Sequence, residues 1–477
     1  MHSGNLCIRT LFITLVLGIL VAQSYSQQSQ HERDFRSHFS EAQRDEVSSL
    51  IRNSITAPPA KAFHSEQQRV VRRTVFGYYP YWTVASYTTQ LDARILTHIA
   101  YFSADADSAG TVTVMNSNRI LSLRDFTSRN NITFSIVLTM FGNAVNTAVL
   151  GSEQKSRRVV SQMMALVRLY QFNGVDVDAE TVPTAQRANL VRFMRIMRDS
   201  LNSQSSALQL SMATPAVDWS NAFDLSTLSK LCNHLTLMGY DYHYSGSPTA
   251  GPVAPLRGES YNVTRSVQTY IQAGVDAGSL LLGVPWYGYE WAVKNDVRKA
   301  ETDPKRGAGK SYTYSVAQRR AQQVKNYDTL TQTPWYILRD STGSFQGWFD
   351  DSTSLGMKYK LANGESLQGI GIWALGYEGT DGTLTAGVLA AFPYQPVSVD
   401  DTEILNAVTV YPNPAGDMIT VTSSTPLGSY SLCNAAGIEV LRGQTEESMV
   451  TLNVLTLPSG VYCLRSANAF QRIVIVR

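Results

Sequence analysis

Asp176, Asp178 and Glu180 stand two residues apart in the segment Asn173-Gly-Val-Asp176-Val-Asp178-Ala-Glu180. On a strand, alternate side chains share a face, so these carboxylates form a column at a spacing of about 7 Å. Like charges placed that way and withdrawn from water cannot all ionise, so at least one pKa must rise and the group must hold a proton. A protonated Glu at the open end of such a column is a general acid, the group that glycosidic cleavage needs. Two blander readings stand beside this one: a solvated strand end, or a cation site. Val175 and Val177, on the opposite face, require burial there and argue against the solvated strand.

The elements that must position this column are legible as apolar runs. Eight of them occur between residues 75 and 374: Val75-Phe-Gly-Tyr-Tyr, Leu96-Thr-His-Ile-Ala-Tyr-Phe, Ile132-Thr-Phe-Ser-Ile-Val-Leu, Gly174-Val-Asp-Val-Asp, Leu208-Gln-Leu-Ser-Met-Ala, His234-Leu-Thr-Leu-Met, Leu280-Leu-Leu-Gly-Val and Gly369-Ile-Gly-Ile-Trp-Ala. Helical patterns separate several of them, such as residues 187–201. This spacing predicts an α/β fold, a (β/α)8 TIM barrel, with the fourth run carrying the acidic column and Glu180 at the C-terminal rim where such barrels do chemistry. An open doubly wound sheet would put a Gly-rich phosphate turn after the first strand, and Tyr78-Tyr-Pro-Tyr-Trp82 is unlike one. The interval between the seventh and eighth runs, about residues 289–367, is long for one loop and one helix. It predicts a small α+β insertion that walls one side of a cleft.

The flanks differ in texture. Residues 1–26 read as a signal peptide, with an apolar stretch over residues 11–22 that is short for a membrane span. Residues 27–72 read as a polar leader or linker with one amphipathic helix around residues 35–51. The barrel takes residues 73–394 and a Pro-bearing linker residues 395–404. Residues 405–477 alternate in short strands with Gly and Pro turns, which predicts a small all-β sandwich. Cys232, Cys433 and Cys463 follow the leader; the sequence leaves open whether Cys433 and Cys463 pair. The 477 residues carry a formal net charge of +2, too small to argue for nucleic acid or an anionic membrane, while 24 Tyr and 7 Trp supply flat rings suited to sugar faces.

With those residues in view, the acidic segment resembles the Asp-Gly-x-x-Asp-x-Asp-x-Glu signature of glycoside hydrolase family 18, the chitinase family. Met238-Gly-Tyr240-Asp241, Gly283-Val-Pro-Trp286-Tyr287-Gly288 and Gly371-Ile-Trp373-Ala-Leu-Gly resemble its later strand ends, and the likeness covers about residues 75–392. It implies a retaining hydrolase of β-1,4-linked N-acetylglucosamine polymers that uses the substrate's own acetamide as nucleophile. Glu180 is then the proton donor, Asp178 the carboxylate that orients the acetamide, Asp176 its proton-sharing neighbour and Tyr240 the phenol on the acetamide carbonyl. Trp373, Asp241, Met238, Tyr78, Trp286 and Tyr287 are substrate-binding residues by the same likeness. No metal and no cofactor is implied. Two positions depart from the pattern: Asn173, where Asp is usual, and Ala179, which is often aromatic. Asn173 is expected to weaken proton sharing at most.

Gly288-Tyr-Glu-Trp291 and the short insertion look closer to bacterial cell-wall and spore-type hydrolases, which leaves peptidoglycan or an N-glycan core open as substrates, beside a non-catalytic lectin-like role. Tyr411-Pro-Asn-Pro414, Leu457-Pro-Ser-Gly460-Val-Tyr and the terminal Arg472-Ile-Val-Ile-Val-Arg477 resemble the sorting domain of type IX secretion substrates in Bacteroidetes. That likeness implies a partner in the type IX machinery and a secreted or cell-surface location. A carbohydrate-binding sandwich is the alternative. A monomer is expected, without nucleic acid and without an integral membrane segment in the mature chain.

Overall fold

The computed structural model describes residues 29–53, 73–322, 324–393, 408–434, 439–466 and 469–477. The expected signal peptide and the linker over residues 395–404 lie outside these residues. The chain divides into two compact units, one up to residue 394 and one from residue 395 onward. Each has its own apolar core.

In the first unit a short helix, α1 (Gln30–His38), is followed by a three-residue strand, β1 (Arg44–Glu46), and a second helix, α2 (Val47–Asn53). Then come β2 (Thr74–Pro80), β3 (His98–Ala106), β4 (Val112–Met115), β5 (Thr133–Phe141), β6 (Gly174–Glu180), β7 (Gln209–Pro215), β8 (His234–Met238) and β9 (Leu280–Pro285). The eighth barrel strand, Gly369–Trp373, comes after an insertion and is numbered β15. The insertion holds β10 (Tyr287–Val293), β11 (Lys310–Thr313), β12 (Lys325–Asp328), β13 (Thr333–Asp340) and β14 (Gly343–Phe349), with a helix at Tyr314–Ala321.

Eight parallel pairings close the barrel in the order β2-β3-β5-β6-β7-β8-β9-β15 and back to β2. All eight apolar runs are these strands. Buried on both faces, they read as near-continuous hydrophobic stretches rather than alternating ones. Long helices such as Glu153–Tyr170 and Arg187–Gln204 connect them. The first starts where the Ser152 side chain accepts the Lys155 amide. Gly174 opens β6 because a Cβ there would lie 2.4 Å from the Gln209 carbonyl of the neighbouring strand. The insertion is a five-stranded antiparallel sheet with the helix Tyr314–Ala321, the expected α+β lobe between the seventh and eighth barrel strands.

The segment before the barrel differs from the polar leader with one helix over residues 35–51. Its described residues hold two helices separated by a 3-10 turn and a strand, and β1 pairs antiparallel with β4, extending the barrel sheet outward. The second unit is all-β, as expected: a three-stranded and a four-stranded antiparallel sheet around Ile419, Val421, Leu432, Leu464 and Ile473. Cys433 and Cys463 face each other across one strand pair, and both are free thiols.

Candidate active site

Alternation on β6 sends Val175, Val177 and Ala179 to one buried layer and Asp176, Asp178 and Glu180 to the barrel interior. Asp176 lies deepest of the three. The Ser211 hydroxyl donates to its Oδ1 at 2.5 Å and the Tyr78 hydroxyl to its Oδ2 at 3.2 Å. Burial still outweighs these donors and pushes its pKa up to about 6. Asp178 and Glu180 are raised well above the carboxylate range, first by burial and next by the neighbouring acid in the column. The column is therefore a proton-holding group with its last member at the rim, and the geometry that would make Glu180 a general acid is present.

The strands on either side add the polar and aromatic groups. Tyr240, two residues past β8, is buried and aims its hydroxyl at the column's mouth, within 2.6 Å of a ring nitrogen of His31. Gly283 of β9 makes room for it, since a Cβ there would press on the Leu237 carbonyl and the Tyr240 ring. Asp241 takes a left-handed conformation, with φ at 62°, and accepts a 2.5 Å bond from the Tyr287 hydroxyl. Trp373 closes β15 with its indole buried, 5.6 Å from the Tyr78 ring. Met238 is buried at the end of β8.

Nine of the ten residues singled out in the sequence thus converge on one end of the barrel. Trp286 does not join them. It alternates with Pro285 and Tyr287, and its indole sits against Tyr359 of the outer helix Ser352–Gly364. The Asn173 side chain is also placed differently from the expectation: its carbonyl accepts the Phe134 amide at 2.8 Å, so it serves the β5–β6 junction and not the column.

Several residues of the site carried no signal in the acidic motif. Tyr377 donates to Asp34 at 2.9 Å, and the Trp82 indole donates to Tyr377 at 3.1 Å. Tyr289 shares the inward face of β10 with Tyr287 and donates to the Gln30 side chain. Alternation from Tyr287 would have found Tyr289, whereas Ser211 is visible only through the register that sets it beside Asp176.

The largest omission is α1. Its Nδ1 of His31 lies 2.7 Å from Asp178 Oδ2 and 3.6 Å from Glu180 Oε1. Its ring lies over Trp373 with centroids 3.7 Å apart. The Gln30 amide and the Arg33 guanidinium donate to Asp241 Oδ2 at 2.7 and 2.8 Å. Burial lowers the His31 pKa, so a neutral imidazole with one N–H and one acceptor nitrogen lies between a carboxyl and a phenol. His31, Asp178 and Glu180 offer ligand atoms within 4.8 Å of one another, and His31 contacts Asp178 directly at 2.7 Å.

Residues 74–378 match the family model "Glycosyl hydrolases family 18", and residues 409–476 match "Secretion system C-terminal sorting domain". A putative sporulation-specific glycosylase of Bacillus subtilis is 28% identical over 49% of this chain and 54% of its own length. The cortical fragment-lytic enzyme of Bacillus subtilis is 24% identical over 59% of this chain and 65% of its own length. The chain thus spans between about half and two thirds of these curated relatives. A family 18 chitinase from Cycas revoluta, solved in complex with (GlcNAc)3, shares the fold with a TM-score of 0.61 at 20% identity, covering 67% of this chain and 99% of that one. No helix among the described residues is long and apolar enough to cross a membrane. The sorting domain is that of type IX secretion and marks the protein for the cell surface or the surrounding medium. With well over half its length on that family model, and with β6 bringing the acidic column to the barrel mouth, the chain belongs to glycosyl hydrolases family 18.

Proposed function

We propose that the protein hydrolyses β-1,4-linked N-acetylglucosamine polymers, chitin or chitin-like, with retention of configuration and with the substrate's acetamide as nucleophile. The observation that carries this reading is the buried column of Asp176, Asp178 and Glu180 with Tyr240 at its mouth. Glu180 protonates the departing oxygen. Asp178 holds the acetamide N–H, and the Tyr240 hydroxyl donates to the acetamide oxygen as it attacks the anomeric carbon. The Trp373 indole supplies the flat apolar floor for the sugar. Tyr78 and Ser211 keep Asp176 in place so that it can exchange a proton with Asp178 as charge develops. The sorting domain delivers the enzyme through the type IX machinery to a polymer outside the cell, and the barrel acts as a monomer.

Glu180→Gln keeps the side chain's shape but cannot donate the proton, so it is expected to lower kcat by roughly 10²–10⁴-fold with the fold intact. Proton NMR of the first product is expected to show the β anomer, and a thiazoline mimic of the cyclised acetamide to inhibit. Initial α product, or equal cleavage of substrates without the N-acetyl group, would overturn the mechanism.

A second reading, peptidoglycan as substrate, is favoured by the sporulation-specific glycosylase and the cortical fragment-lytic enzyme among the relatives. Mass spectrometry of products from chitin oligosaccharides, peptidoglycan and a glycoprotein, incubated side by side, separates the two readings and the N-glycan alternative.

A further inference from the structure

Helix α1 occupies the place where the glycan of the preceding section would bind. It is an unusual helix to find buried. Gln30, His31, Glu32 and Asp34 are all polar and all buried, His31 with none of its surface exposed. Burying polar side chains costs free energy unless each finds a partner, so generic apolar packing does not explain the docking. Glu32 is paired by Arg36 of the same helix, and the other three find partners in the site itself. His31 takes Asp178 and Tyr240, the Gln30 side chain accepts from Tyr289 while its backbone N–H and the Arg33 guanidinium donate to Asp241, and Asp34 accepts from the Trp373 indole at 3.1 Å and from Tyr377 at 2.9 Å. The imidazole lies on Trp373 with centroids 3.7 Å apart and planes 31° apart, the position of a flat ring on an aromatic floor. A pyranose cannot share that space.

The segment is also fastened outside the cleft. The Phe35 side chain packs between Tyr81, Phe102 and Phe141, and the Tyr81 hydroxyl donates to the Phe35 carbonyl at 2.8 Å. The Asn116 amide donates to the Gln43 carbonyl at 2.7 Å, and β1 pairs along β4. Ser29 caps α1 by accepting the Glu32 amide, so the helix is preformed at its buried end.

We propose that residues 29–46 are an intramolecular inhibitor: α1 fills the sugar-binding centre by imitating the contacts of substrate, and the intact chain is a latent enzyme until α1 is displaced. The proposal rests on the glycan-hydrolysing reading of the site. A tethered occupant acts at an effective concentration in the millimolar range, and substrate affinity falls in proportion to the fraction of molecules with the cleft open.

The test compares the full chain with a full-chain variant carrying Gln30→Ala, His31→Ala and Asp34→Ala, using a fluorogenic N-acetylchitotrioside. The variant is expected to show kcat/KM at least roughly tenfold higher, through KM with kcat little changed, since an open fraction of a tenth or less gives that factor. A peptide of residues 29–46 added to the variant is expected to restore inhibition competitively, a readout that does not depend on how well the wild-type segment packs. Hydrogen exchange of the α1 amides, run in parallel, is expected to show protection in the wild type and its loss in the variant. A wild type as active as the variant, or a variant of lower activity with a normal melting curve, would overturn the inhibitor role and make His31 part of the working site. If α1 is protected in the wild type and exposed in the variant, yet neither protein cleaves any of the three glycan classes, the glycan reading has failed and the inhibitor role falls with it. If α1 exchanges freely in an active wild type, the inhibitor role alone has failed.

Discussion

Asp176 and Asn173 show how differently neighbouring residues of one strand motif behave. The column was readable because a strand's period of two places alternate residues on one face whatever the register of its neighbours. The groups that tune the column were not readable, because Ser211 and Tyr78 reach Asp176 from other strands. Asp176 raises the pKa of Asp178 by its negative charge, after burial. Asp176→Asn removes that charge, lowers the pKa of Asp178 and, because Asp178 accepts the acetamide N–H as a carboxylate, is expected to move the acidic limb of the kcat profile to lower pH; an unmoved limb in pH-rate measurements would show that the two acids are not coupled. Asn173 accepts a backbone bond from Phe134 that an Asp would accept equally well. Asn173→Asp is therefore expected to change kcat less than about twofold and leave the pH profile in place, since the substitution keeps the acceptor and lies outside the column.

At the scale of elements, the barrel was the most legible feature. Strands buried on both faces leave apolar runs that need no tertiary knowledge, and eight of them with helical spacers admit few arrangements. The helix before the barrel was misplaced for an equally physical reason. Periodicity finds a helix by its apolar stripe, and the buried face of α1 is polar except for Phe35, chosen mainly by the groups of a cleft and not by an apolar core. Ser29 with Glu32 three residues on was the one local sign of its start. The outer helix Ser352–Gly364 depends on another buried polar feature. Lys358 donates to Asp350, and both side chains are fully buried. Lys358→Met leaves the carboxylate unpaired and is expected to cost about 3–5 kcal/mol of stability. Thermal melts of Asp350→Asn, Lys358→Met and the double variant check this: the double variant should recover part of the loss, and additive losses would rule out the pairing as the cause.

For the whole molecule, division into two units was legible from the Pro-bearing linker and the change from mixed to short alternating strands, while the link between the leader and the barrel mouth was not. The two apolar cores share no residue, and every site residue named above lies in the first unit. A chain ended after residue 394 and expressed in the cytoplasm of a heterologous host is expected to retain its kcat/KM within about twofold, because units with separate cores usually fold and act alone. In the native host the same truncation is expected to leave the protein in the periplasm. Cell fractionation reads this directly, and normal export with lost binding to insoluble polysaccharide would make the sandwich a substrate-binding module instead.

The pairing of β1 with β4 has a consequence for how such a protein would switch on. A single cut in the chain between residue 53 and Thr74 would free α1 of its covalent link but not of its grip, since strand pairing and the bonds of α1 outlast the cut. The fragment and barrel would then be two molecules in a mass-action equilibrium, and occupancy would follow total protein concentration. Nicked protein kept concentrated would stay quiet, and the same sample diluted would wake with a lag set by fragment release. Secretion into a large external volume is itself such a dilution.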